Sequence, residues 1–152
     1  RGGGMSWFGR FFGSGEQKAP NFVLEIEGRQ PLHDPSVAQV KEVILGLVRS
    51  GPSFACLTDH KGNYLQVAGS RPWCLVERRI AKPKGHARAY QETPNPKYND
   101  GAKLSTGAGE IVMQHDEWFL LKDAAEIMEA FQLGTEFPSK VQWRSMNEMF
   151  GI

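Results

Sequence analysis

Apolar and polar positions alternate from Phe22 to Glu27, in the order Phe-Val-Leu-Glu-Ile-Glu, which predicts a first strand. Asp34-Pro35 reads as a helix start: an aspartate can accept from the first unpaired amides, and proline suits the first helical position. Val37, Val40, Ile44, Leu47 and Val48 then recur at helical spacing, and Ser50-Gly51-Pro52 supplies a stop, so the spacing predicts a helix near 35 to 50. Strand-like runs follow at Phe54 to Thr58, Tyr64 to Ala68, Trp73 to Ile80 and Gly85 to Tyr90. The links between them are short, which favours antiparallel pairing.

Thr93 to Gly109 is rich in proline, glycine and asparagine and predicts a long loop, a class of segment that is commonly functional. A strand resumes at Glu110 to Met113, and an edge or bulge is expected through Trp118 to Leu121. Leu121, Ala124, Ala125, Met128 and Phe131 then form one helical stripe, with Asp123 and Glu126 early and Gly134 as the stop, predicting a second helix near 121 to 133. Val141, Trp143 and Phe150 close the domain as expected core residues. The predicted fold class is α+β: a mainly antiparallel sheet of about five to six strands with two principal helices packed on one face.

The chain has 152 residues, near the usual size of one domain, so a single core is expected over residues 21–152. Residues 1–20 read differently. Arg1-Gly2-Gly3-Gly4 resembles an expression remnant, and a flexible tail follows whose aromatics Trp7, Phe8, Phe11 and Phe12 would share one face if helical. One basic residue among them is little to hold anionic lipid, so a frayed or folded-back tail competes with a surface anchor. Apolar runs such as Val43 to Val48 fall far short of the roughly 20 residues a membrane span needs.

A formal charge of +1 lacks the basic excess of a nucleic-acid binder, so no direct nucleic-acid partner is expected. Cys56 and Cys74 sit in strand-like runs without metal-site spacing and read as buried thiols in the cytoplasm, a cross-strand disulfide being the alternative. Gly101, Gly107 and Gly109 precede a strand and lack a following lysine, unlike a phosphate loop. His33, His60 and His115 each adjoin an aspartate. Neighbouring side chains diverge on a strand, however, and turn chemistry accounts for Asp34 and Asp59. No serine or cysteine carries a nucleophile signature. The expectation is therefore a chain without catalytic residues, cofactor or metal.

From Leu120 through Trp143 the order is strand end, amphipathic helix with paired alanines, Phe131, Gly134, Phe137-Pro138, then Val141-Gln142-Trp143. It resembles the C-terminal signature of a family of bacterial immunity proteins found beside polymorphic toxins, including nucleic-acid deaminase toxins. Leu121 and Phe137 depart from that pattern, standing where a helix-capping hydroxyl and a basic residue are usual. The resemblance implies an antitoxin that neutralises a cognate toxin domain, one acting on nucleic acid or nucleotides, by binding it and occluding its active site. A non-catalytic adaptor or chaperone-like module is the alternative, and an enzyme a more distant one. The expected toxin-facing residues are Tyr90, Glu92, Tyr98 and Asp100 with His115, Asp116, Glu117 and Trp118. They combine amphipathic aromatics of the hot-spot type with acids suited to a basic cleft.

Overall fold

The computed structural model describes residues 19–152; the aromatic tail and the leading glycines lie outside the described residues. Ten strands and two helices follow in the order β1 (Phe22–Ile26), β2 (Leu32–His33), α1 (Val37–Leu45), β3 (Phe54–Asp59), β4 (Tyr64–Ser70), β5 (Trp73–Ile80), β6 (Gly85–Gln91), β7 (Lys103–Thr106), β8 (Gly109–Val112), β9 (Phe119–Leu120), α2 (Leu121–Leu133) and β10 (Val141–Ser145). The main sheet has eight strands in the order β10-β6-β5-β4-β3-β1-β2, with β9 also on β5; β7 and β8 form a separate hairpin. Every pairing is antiparallel. The class is α+β as expected, but the sheet is larger than five to six strands. The additions are two-residue strands too short to show alternation, β2 and β9, and the closing strand β10.

α1 starts later than Asp34-Pro35 suggests. Ser36 is its cap: Ser36 Oγ accepts from the Gln39 amide at 3.1 Å and Gln39 Oε1 accepts from the Ser36 amide at 2.8 Å, a reciprocal capping box. Asp34 instead takes a left-handed backbone, φ 48°, and its Oδ1 accepts from the Asn21 and Phe22 amides, tying the start of β1. The helix ends at Gly46; Leu47, still fully buried, is delivered to the core by the turn that follows. α2 spans the expected residues. No side chain caps its start, but Asp123 lies in the first turn, where the helix dipole favours an acid. Gly134 ends it with φ 72°, and the Thr135 amide returns to the Ala130 carbonyl at 3.0 Å.

Both helices lie on one face of the sheet. Val40, Ile44, Ala124, Ala125, Ile127 and Met128 meet the inward residues Leu24, Leu57, Leu65, Val67 and Val76 in the principal core. Trp143, expected to be buried, is half-buried on this face against Phe137, with the Arg78 guanidinium 4.3 Å from its ring centre. Phe150, the other expected core residue at this end, is 45% exposed. Cys74 points into this core, where burial pushes its thiol up. Cys56 occupies the opposite face of β3, with β4 between β3 and β5, so strand pairing keeps the two cysteines apart and no disulfide joins them.

The opposite face is partly covered as well. The segment expected to be loop from Thr93 to Gly109 contains β7, which pairs with β8, and this hairpin folds onto the sheet. Leu104 and Met113 pack with Ala68, Leu75 and Trp118 in a second, smaller core. Ser53 pins the hairpin tip: its amide and Oγ donate to Glu27 Oε1 at 2.7 and 2.9 Å, while Ser53 Oγ accepts from the Gly107 amide at 2.7 Å.

Candidate binding surface

Strand parity places His86, Arg88 and Tyr90 of β6 on the hairpin face, beside Glu77 and Arg79 of β5 and Arg144 of β10. The register sets Arg88 directly opposite Arg144, a like-charged cross-strand pair that destabilises a sheet unless something neutralises it. The segment after β8 supplies the acids. Glu117, 1% exposed, accepts from Arg88 Nη1 at 3.0 Å and from Arg144 Nη1 at 2.7 Å; its Oε1 also accepts the Gln114 amide at 2.8 Å. Asp116 takes Arg144 in a two-pronged bond of 3.0 and 2.9 Å. The Arg144 guanidinium lies 4.3 Å from the centre of the Tyr90 ring.

Glu77 continues the network inward. It accepts from Arg88 Nε at 2.7 Å and contacts His86 Nε2 at 2.8 Å. Arg79 Nε donates to His86 Nδ1 at 3.0 Å, and an arginine can only donate; Nδ1 is therefore the acceptor and Nε2 carries the proton given to Glu77. Burial pushes the Glu77 carboxyl up, but the His86 hydrogen bond and the Arg88 charge outweigh it and hold it below the usual carboxylate range. The hydrogen bonds from Arg144 likewise hold Asp116 low, and Asp116 and Glu117 together hold the Arg144 guanidinium charged.

Of the expected toxin-facing residues, Tyr90, Tyr98, Asp100, His115, Asp116, Glu117 and Trp118 are brought together around this network, and Glu92 follows Gln91, whose amide donates to the Asp116 carbonyl at 3.0 Å. Tyr98 stacks on Trp118, ring centres 3.9 Å apart and planes at 11°, and meets the edge of Trp73 at 6.4 Å. His115 pairs with Asp100 and not with its neighbour Asp116, through both its backbone amide and its Nδ1; these bonds hold the Asp100 carboxyl low. Glu92 and Asp100 are exposed, Tyr90, Tyr98, His115 and Asp116 half-buried. Glu117 and Trp118 are interior, 1% and 2% exposed, and anchor the surface without forming its outside. Of the other histidine-flanking acids, Asp34 ties the start of β1 and Asp59 serves its turn, accepting from the Lys61 and Asn63 amides at 2.9 Å each. Among the described residues, no group of three or more His, Cys, Asp and Glu side chains is placed to share a metal ion. No helix among them is long and apolar enough to cross a membrane.

Sequence reasoning missed the arginines. Arg88 and Arg144 lie far apart in the chain, and only the β6–β10 register makes them neighbours. It also missed a groove of about 700 Å3 between the hairpin and β3–β4, floored by Phe54, Cys56, Tyr64 and Gln66 with Ile111 on the hairpin side. The outward parity of β3 and β4 was its one signal. Comparison with protein-family models, with curated proteins and with solved structures finds no match to this chain.

Proposed function

We propose that the chain is an immunity protein that binds a cognate bacterial toxin domain directly and occludes its active site. The observation that carries the proposal is the rim of Glu92, Tyr98, Asp100 and His115 on a base fixed from below by the buried Glu117 and its two arginines. A rigid base reduces the ordering cost of association, and Tyr98 and Tyr90 offer the amphipathic area found in hot spots. The exposed carboxylates complement the basic cleft of a toxin that acts on nucleic acid or nucleotides, and would speed encounter at low salt. The C-terminal signature from Leu120 to Trp143 points the same way.

The test is co-expression with the toxin-domain product of an adjoining gene. The expected result is a stoichiometric complex that protects the host cell. Tyr98 and Asp116 also support the fold, so the informative changes are Glu92→Lys with Asp100→Asn, which keeps an acceptor for His115. This pair is expected to weaken the complex by about tenfold or more at an unchanged melting temperature. Full affinity in that variant would move the interface elsewhere, and absence of any complex would remove the reading.

A further inference from the structure

The groove between the hairpin and β3–β4 shares no residue with the rim of Glu92, Tyr98, Asp100 and His115, and its two ends differ in chemistry. Register builds the floor in rows. At the hairpin end Phe54 of β3 stands opposite Ala68 of β4, and Phe54 packs with Ile111 of the hairpin on the second core. At the other end Thr58, Tyr64 and Arg79 form one row across β3, β4 and β5, and Lys84 lines the groove from the β5–β6 turn. Four strand residues separate the rows, about 13 Å at roughly 3.3 Å each. One end is apolar and the other cationic.

The cations are uncommitted. Arg79 Nε donates to His86 Nδ1 at 3.0 Å, and the guanidinium lies 6.0 Å from the centre of the Tyr64 ring and 5.6 Å from that of Phe150. These contacts hold the side chain but leave Nη1 and Nη2 without an acceptor among the described residues. Lys84 is exposed, and no carboxylate of the described residues pairs with it. The Tyr64 hydroxyl and the Gln66 amide on the floor likewise take no partner among them. The acids of the groove stand elsewhere. Glu27 is engaged by the Ser53 amide and hydroxyl at 2.7 and 2.9 Å. Glu25 lies on β1, three strands from Arg79, about 14 Å away at roughly 4.8 Å per strand.

We propose that this groove binds a small amphiphilic carboxylate, its head on Arg79 and Lys84 and its apolar body running past Cys56 to Phe54 and Ile111. With Nε taken by His86, the part of the guanidinium left is the Nη1–Nη2 edge, whose parallel N–H bonds match a planar carboxylate. Tyr64 and Lys84 add donors on the same side and no acid stands among them. A volume of about 700 Å3 is that of a small-molecule site, and a body of about 13 Å suits a medium-length alkyl chain. Each methylene laid on Phe54 and Ile111 leaves water, so affinity rises with chain length. The inference does not depend on the protein being an antitoxin.

Cys56 reports occupancy. It is half-buried on the groove floor while Cys74 is 0% exposed, so iodoacetamide alkylates Cys56 first. The test follows that alkylation in the whole chain by mass spectrometry, with decanoate, hexanoate, acetate, and decyltrimethylammonium as a tail of equal length and opposite charge. The expected result is a saturable slowing by about fivefold or more with decanoate below its micelle concentration, and weaker binding of hexanoate. Acetate and the ammonium are expected to give no protection. Lys84→Glu alters an exposed side chain that makes no hydrogen bond among the described residues, and Arg79→Gln keeps a donor for His86; each is expected to lower decanoate affinity about tenfold. Unprotected Cys56 in decanoate, equal protection by the ammonium, or wild-type affinity in Lys84→Glu would each overturn the proposal.

Discussion

Replacing Glu117 by glutamine removes a negative charge from between two arginines with almost no change of volume. The carboxylate accepts from Arg88 Nη1, Arg144 Nη1 and the Gln114 amide, and the residue is 1% exposed. Glutamine offers one carbonyl oxygen and turns an NH2 group toward a guanidinium. One charge-assisted bond is thus lost and another becomes a bond to a neutral acceptor. With each bond to a charged group worth about 1.5–3 kcal/mol and a neutral one about 1, the loss is about 3 kcal/mol. Mutual repulsion of Arg88 and Arg144, cross-strand partners, adds to this; Glu77 on Arg88 and Asp116 on Arg144 subtract from it. The total stays near the lower end of about 3–5 kcal/mol for breaking a buried ion pair.

Urea unfolding reads this directly. With a slope of about 2 kcal/mol per molar, the midpoint of Glu117→Gln falls by about 1.5 M. The double variant with Arg144→Gln loses less than the sum of the two single changes, with a coupling of at least about 1 kcal/mol. A midpoint shift under about 0.3 M at unchanged slope would refute the reasoning, since it would mean that Glu77 and Asp116 neutralise the arginines without Glu117.

Gly69→Ala is expected to destabilise by at least about 3 kcal/mol in thermal or urea unfolding. Gly69 has φ 143°, and a Cβ there would lie 2.6 Å from the Trp73 carbonyl oxygen and 2.7 Å from Cys74 Cα, both backbone positions; an unchanged melt would show that the β4–β5 link relaxes freely. Acid will also weaken the fold. Glu77 and Asp116 are held below their ordinary values of 4.5 and 3.8, so their contribution is complete above those values and is lost as pH falls through the lower folded-state ones. The melting temperature should therefore drop below about pH 4.5, less steeply in Asp116→Asn; equal slopes in the two proteins would remove Asp116 from this account.

The second helix was legible to the residue because its apolar stripe is unbroken and Gly134 supplies a left-handed stop. The first was overextended at both ends for local reasons. Asp34-Pro35 resembles a cap, but the Asp34 carboxylate is spent on the β1 amides, and the capping box of Ser36 and Gln39 wins two residues on. Leu47 keeps helical spacing, yet the chain leaves the helix at Gly46 and buries Leu47 from a turn. The β7–β8 hairpin was hidden because Leu104 is the sole large apolar residue of β7, and the glycines and prolines around it argue for loop.

At the candidate surface, residue type was informative where the partner is near in sequence and silent where it is not. Tyr98, Asp100, His115 and Trp118 advertise themselves by chemistry, and they meet because the hairpin returns the chain to its own base. Arg88 and Arg144 look like ordinary solvent-facing strand residues until register sets them opposite each other. That juxtaposition requires an acid between them, and Glu117, from the segment joining β8 to β9, meets the requirement. The position of that segment is therefore fixed by charge neutralisation beneath the surface. Glu92 and Asp100 are exposed above it, and in the proposed reading a surface whose anchors and contacts are different residues can change its partner without changing its fold.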